Sequence, residues 1–210
     1  MVHPVPVYES HITVLCEGDE LRRLERWAAA RAGVKFTHIA LARGRTASQP
    51  MLTLRGSRPT CPEEVSAVRQ IADALAHDGF AVARIKVECA PWAAEVPRGD
   101  ARIPGRADAG RHFEHHVKLL LDPAYDRDAL VALAVRHGAH VSCNARRRRP
   151  DGREERFVTQ RCHGVGAPHA ERLLHALLSD LGRYEVLDVE REYVLVDTGP
   201  ELDEGWLVST

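Results

Sequence analysis

The chain runs twice through one order of predicted elements, and that repetition leaves few folds open to it. In the first half a strand over Glu9–Cys16 leads to a helix over Glu20–Arg31, with Asp19 placed to cap it and Gly33 to end it. Strands over Lys35–Ala42 and Pro50–Arg55 follow, then an amphipathic helix over Glu63–His77 and a strand over Phe80–Cys89. The second half repeats this. A strand over Phe113–Leu121 precedes a helix over Asp126–Arg136, strands over Ala139–Ala145 and Arg156–Cys162, a helix over His169–Leu181 and a last strand near Tyr184–Val196. Residue types agree as well as order. Gly33 answers Gly138, Pro62 answers Pro168, Thr53-Leu54-Arg55 answers Thr159-Gln160-Arg161, and Arg84–Glu88 answers Asp188–Glu192.

This pattern predicts an α+β chain built by tandem duplication of a ferredoxin-like βαββαβ unit, with two antiparallel sheets related by a pseudo-two-fold axis. Residues 1–90 form the first half and 112–196 the second. Residues 91–111, rich in Ala, Pro, Gly and Arg, form a linker packed at its Trp92 end, and 197–210 form a C-terminal tail.

The strand alternation says which side chains share a face. In HFEHHVKLLL, His112–Leu121, the residues His112, Glu114, His116 and Lys118 stand two apart, so they point one way while Phe113, Val117, Leu119 and Leu121 point the other. Tyr8–Cys16, YESHITVLC, is a fainter copy, with Glu9, His11 and Thr13 in the places of Glu114, His116 and Lys118. Burying the apolar set under helices leaves the polar set on the open face. Strand order 4-1-3-2 then sets His11 beside Glu88, and His116 beside Glu192 with Glu190 one pair further on. Arg84, Lys86 and Glu88 share that face, as do Arg55 and Arg161 on the third strands. Two such faces turned toward each other enclose a cleft of ionisable groups, which is costly unless they are paired, hydrated or bound to a ligand or metal.

Composition narrows the function. A formal net charge of −1 over 210 residues gives no global field to recruit nucleic acid or an acidic membrane, and 44% hydrophobic residues can support a core. Lysines are confined to Lys35, Lys86 and Lys118, an Arg bias that fits a GC-rich bacterial genome. The five cysteines show neither disulfide-framework nor zinc-knuckle spacing. No charged-then-apolar leader and no bilayer-spanning apolar run are present, which predicts a soluble cytoplasmic protein, monomer or homodimer.

Three chemistries suit the cleft. The first is a metal site, since one His and one Glu per half suit a divalent ion. In its paired modules and in HITV and HHVKL the chain resembles the vicinal oxygen chelate, glyoxalase-type proteins. That resemblance implies zinc, nickel, manganese or iron(II) held by His11, Glu88, His116 and Glu192. Modules of that family run βαβββ, whereas each half here has a second helix. The second is metal-independent phosphoester chemistry, because His11-Ile12-Thr13 resembles the His-x-Thr motif of two-histidine phosphoesterases. That resemblance implies His11 and His116 as acid and base, with Thr13 and Lys118 on the phosphate. The third is non-catalytic binding of a small anionic molecule, with Arg55, Arg161, Lys86 and Lys118 as anchors and Glu9, Glu114 and Glu190 as neutralising partners.

Other features have plainer readings. Arg146–Arg149, Arg153 and Arg156 make a basic hairpin tip without an aromatic platform, so a solvated turn is preferred to a nucleic-acid arm. His163-Gly164-Val165-Gly166 precedes a helix and reads as a loop before it reads as a phosphate cradle. Strand parity leaves His38, His140, Cys143 and Cys162 undecided between cleft and core, and Trp27 belongs to the core.

Overall fold

The computed structural model describes residues 7–99, 110–147 and 149–205. Its first half runs β1 (Tyr8–Leu15), α1 (Asp19–Ala29), β2 (Val34–Leu41), β3 (Ser48–Gly56), α2 (Cys61–His77) and β4 (Ala81–Cys89). The second runs β5 (His112–Leu121), α3 (Arg127–Arg136), β6 (Ala139–Asn144), β7 (Glu154–His163), α4 (Ala167–Asp180) and β8 (Glu185–Asp197). Local signals account for the helix ends. Thr60 and Glu63 form a reciprocal capping box ahead of α2, and the Asp126 carboxylate accepts from the Ala129 N–H at the start of α3. Gly33 and Gly138 follow α1 and α3 at φ +78° and +63°, a conformation that a Cβ disfavours. Gly18, not Asp19, is the residue before α1; Asp19 is the first helical residue.

Within each half the strands pair in the order 4-1-3-2, as predicted, but the halves do not remain two separate sheets. β2 pairs with β6, and β4 pairs with β8, so the eight strands close into one barrel, β1-β3-β2-β6-β7-β5-β8-β4. Closure gives both outer strands of each half a backbone partner instead of an open edge. At one seam Ile39 stands opposite Asn144, and at the other Cys89 stands opposite Tyr193. In the alignment of the halves each of these residues is opposite its own counterpart.

The helices lie outside the barrel wall. Leu24, Val68, Ala72 and Leu75 pack on Ile12, Leu52 and Val87 of the first half. Leu130, Leu133, Leu174 and Leu177 pack on Val117, Leu119 and Val158 of the second. Outward alternate positions of the strands therefore hold the apolar core, and inward ones hold the polar set.

Three peripheral expectations change. Trp92 is 71% exposed, and the linker is anchored by buried Val96 and by Glu95, which accepts from the Tyr8 hydroxyl at 2.9 Å. Linker residues 100–109 lie outside the described residues. The stretch predicted as a tail completes β8 with Asp197 and then forms a 3-10 turn, Pro200–Asp203, that buries Asp203. Residues 206–210 lie outside the described residues. Among the described residues no helix is long and apolar enough to cross a membrane.

Candidate functional site

Inside the barrel the two halves build the same three-residue chain. His11 Nδ1 lies 3.0 Å from Thr53 Oγ1, and its Nε2 lies 3.0 Å from Glu88 Oε2. His116 Nδ1 lies 2.9 Å from Thr159 Oγ1, and its Nε2 lies 3.1 Å from Glu192 Oε2. The expected His–Glu neighbours thus meet, though diagonally. On the ladders His11 is opposite Lys86 and Glu9 opposite Glu88, while His116 is opposite Glu190 and Glu114 opposite Glu192. The predicted pairing was one inward position off because sequence pattern fixes a strand's face more firmly than its register.

Between the two chains sits a buried ion network. Lys86 Nζ is 2.6 Å from Glu88 Oε1 and 2.8 Å from Glu114 Oε2. Arg161 reaches Glu114 at 2.6 Å and Asp203 at 2.8 Å, and Arg84 reaches Asp203 at 2.9 Å and Asp197 at 2.5 Å. His112 completes the shell of Glu114 at 3.0 Å. Burial works against the charges of Lys86, Glu88, Glu114, Arg84, Arg161 and Asp197, but the counter-charges win. Glu114 and Glu88 hold Lys86 protonated well above its usual range, and Arg161 and Lys86 hold Glu114 ionised. Burial likewise opposes the imidazolium of His116, yet hydrogen bonds to Glu114 and Glu192 raise its pKa to about 10. Glu192 is pushed up by burial and by Glu88, so the His116–Glu192 pair keeps its proton. His140 is kept neutral by burial and by nearby Arg161.

A cavity of about 220 Å³ opens onto this network. Its wall includes the predicted residues Glu9, His11, Thr13, Lys86, Glu114, His116, Arg161, Glu190 and Glu192. Thr37, Ile39, Met51 and Phe157 also line it, so the wall combines charged, polar and apolar side chains. Three predicted residues are not part of that wall, and of these Glu88 lies in the buried ion network. Arg55 is 78% exposed and pairs with Glu9 at 3.1 Å, because β1 and β3 place it at the rim. Lys118 pairs with Glu155 at 2.9 Å near the Arg-rich hairpin, so it does not stand beside His116 as Thr13 stands beside His11. All four predicted anion anchors thus already have carboxylate partners.

Thr53 and Thr159 were visible as matching positions in the repeat, but only their contact with histidine gives them a role. Arg84 and His112 were legible as members of the inward-facing set, though not their partners, and Asp203 and Asp197 had no comparable signal. The four undecided residues divide: His140 lines the cavity, His38 lies 2.9 Å from Ser48 Oγ, Cys143 is half-buried and Cys162 is buried in the core, where Trp27 also lies as expected. The basic tip is matched by acids: Arg146 by Glu25 of α1, Arg147 and Arg149 by Glu155, and Arg153 by Asp151. Arg148 lies outside the described residues. The Gly166 end of α4 is covered by the linker, whose Pro97 carbonyl accepts from the Ala167 N–H at 3.0 Å.

Glu88, Glu114 and His116 offer ligand atoms within 4.8 Å of one another, a donor set that suits a divalent ion. Lys86, however, bridges the same two carboxylates. An ion on those oxygens would stand roughly 3 Å from the ammonium, a repulsion on the order of 10 kcal/mol at an effective dielectric of about 20. With Lys86 in place the donors do not fit a resident metal.

No family model matches the chain, and no curated protein matches it. Similar solved structures include the acetolactate synthase small subunit from Thermotoga maritima, at 14% identity over 91% of this chain and 96% of that one, with a TM-score of 0.29. A putative chlorite dismutase, TA0507, is 10% identical over 91% of this chain and 95% of its own, also at 0.29. A heme-binding protein from Thermus thermophilus is 13% identical over 91% and 92%, at 0.26. Likeness at these scores transfers neither a fold assignment nor an activity.

Proposed function

We propose that the barrel interior binds a small polar molecule, neutral or cationic, and exchanges protons with it through the paired relays Thr53–His11–Glu88 and Thr159–His116–Glu192. The observation that carries this reading is the recurrence of one hydroxyl–imidazole–carboxylate order in both halves, with both hydroxyl residues on one cavity. In that order a carboxylate orients the imidazole and the imidazole acts on the hydroxyl, as general acid–base and nucleophilic sites require. The second relay is held as imidazolium and takes the acid role. Because the cations are already matched to carboxylates, an anion gains little by entering. The seam registers at Ile39/Asn144 and Cys89/Tyr193 support a pseudo-two-fold origin of the pair by tandem duplication.

The test is a thermal-shift screen of neutral, cationic and anionic small metabolites against wild type, His11→Gln and His116→Gln. A ligand at 100 times its Kd adds about 2.7 kcal/mol. A neutral or cationic compound that stabilises wild type and fails with both variants supports the reading. Stabilisation by anions alone, or by nothing in a chemically broad set, overturns it.

A divalent ion is the second reading, favoured by the clustering of Glu88, Glu114 and His116. It requires Lys86 to leave its two carboxylates. A stoichiometric ion in protein purified without a His-tag, lost in His116→Ala, would establish it.

A further inference from the structure

A second cavity, of about 190 Å³, lies on the outer side of the barrel wall, lined by Trp92, Phe113, His115, Ala170, Glu171 and Arg191 among others. His115 is the polar group at its base and is only 2% exposed. The proton on its ring can be placed from its neighbour. Gln160 Nε2 donates to the carbonyls of His137 at 3.0 Å and Leu173 at 3.3 Å, which orients the amide. Gln160 Oε1 therefore faces His115 Nδ1 at 2.9 Å and can only accept, so Nδ1 carries the hydrogen. In the neutral ring Nε2 then carries a lone pair, and among the described residues nothing donates to it.

The other walls say what would satisfy that lone pair. Phe113 is buried, and Trp92 presents an indole that is 71% exposed. Arg191 and Glu171 pair with each other at 3.1 Å, so the rim offers no net charge to hold an ion. An apolar cavity of about 150 Å³ is enough to take up benzene. We propose that this cavity is a binding site for a small flat aromatic molecule bearing one N–H or O–H donor, a phenol or an indole. The donor bonds His115 Nε2, and the ring packs against Phe113 and Trp92.

Titration of ¹⁵N-labelled protein with phenol, indole and benzene tests this. Phenol and indole are expected to move the His115 Nε2 resonance upfield from the unprotonated position, saturably, and to perturb the Trp92 indole signal. Benzene, which lacks the donor, is expected to bind at least about tenfold more weakly, equivalent to about 1.4 kcal/mol. Trp92→Ala, at an exposed position that leaves the fold intact, is expected to weaken phenol binding without moving the free His115 resonance. His115→Phe is expected to abolish the preference for phenol over benzene; if that variant does not fold, the Trp92→Ala and benzene comparisons still decide. Equal affinity for phenol and benzene, an Nε2 already protonated in the free protein, or no saturable shift with either donor overturns the proposal.

Discussion

Lys86 and Glu114 come from opposite halves of the chain, and their charges meet at 2.8 Å inside the barrel. Glu88 lies 2.6 Å from the same ammonium, so one lysine neutralises two buried carboxylates and ties the halves together. The contact also separates the functional readings, since this ammonium occupies the ground a metal ion would need.

Lys86→Met is expected to destabilise the fold by about 3–5 kcal/mol, because two carboxylates remain buried without their counter-charge. Urea denaturation measures the loss. Zinc at stoichiometric concentration should recover part of it in the variant and do nothing for wild type. Equal zinc stabilisation of both proteins would show that Lys86 does not exclude the ion.

Histidine 116 should make stability depend on alkaline pH. Its pKa in the fold is about 10, against about 6.5 in an unfolded chain. The folded state thus binds the proton more tightly, and the contribution is complete below about pH 6.5 and lost as the pH rises through about 10. The stability gap between wild type and His116→Gln is therefore expected to narrow from pH 7 to pH 10 in thermal melts. A constant gap would mean that His116 is not held as imidazolium.

Asp203→Ala tests the C-terminal turn. Its carboxylate contacts Arg84 at 2.9 Å and Arg161 at 2.8 Å, and Gln49 donates to it at 3.3 Å. Removing it is expected to cost about 3 kcal/mol, since both guanidiniums stay buried. A loss under about 0.5 kcal/mol in urea denaturation would place the turn outside the cooperative fold.

Gly166→Ala addresses the linker. A Cβ there would fall 1.6 Å from the Gly99 carbonyl oxygen, so backbone must move. The expected cost is about 3 kcal/mol, with faster proteolysis of the linker. Unchanged proteolysis would mean that the linker does not cover the start of α4.

Much of this architecture was legible in residue pattern. Alternation in YESHITVLC and HFEHHVKLLL identified the inward His and Glu side chains, and the repeat identified which residues of the two halves correspond. Gln160, the counterpart of Leu54, shows the limit of such reading. It points outward into the core, where its amide bonds His115 and two carbonyls, and no periodicity records that partnership. His112 has no histidine counterpart in the first half, yet it bonds Glu114.

The amino-acid sequence by itself determined the order of elements, the two faces of each strand and the helix ends, because backbone preference and solvation act over a few neighbouring residues. Tertiary structure alone decided that the sheets close into one barrel, since the β2–β6 and β4–β8 seams join residues about a hundred positions apart. It also decided which charges neutralise which. Coulomb attraction depends on distance in space, and the distances from Lys86 to Glu114 and from Asp203 to Arg84 exist only once the barrel has closed.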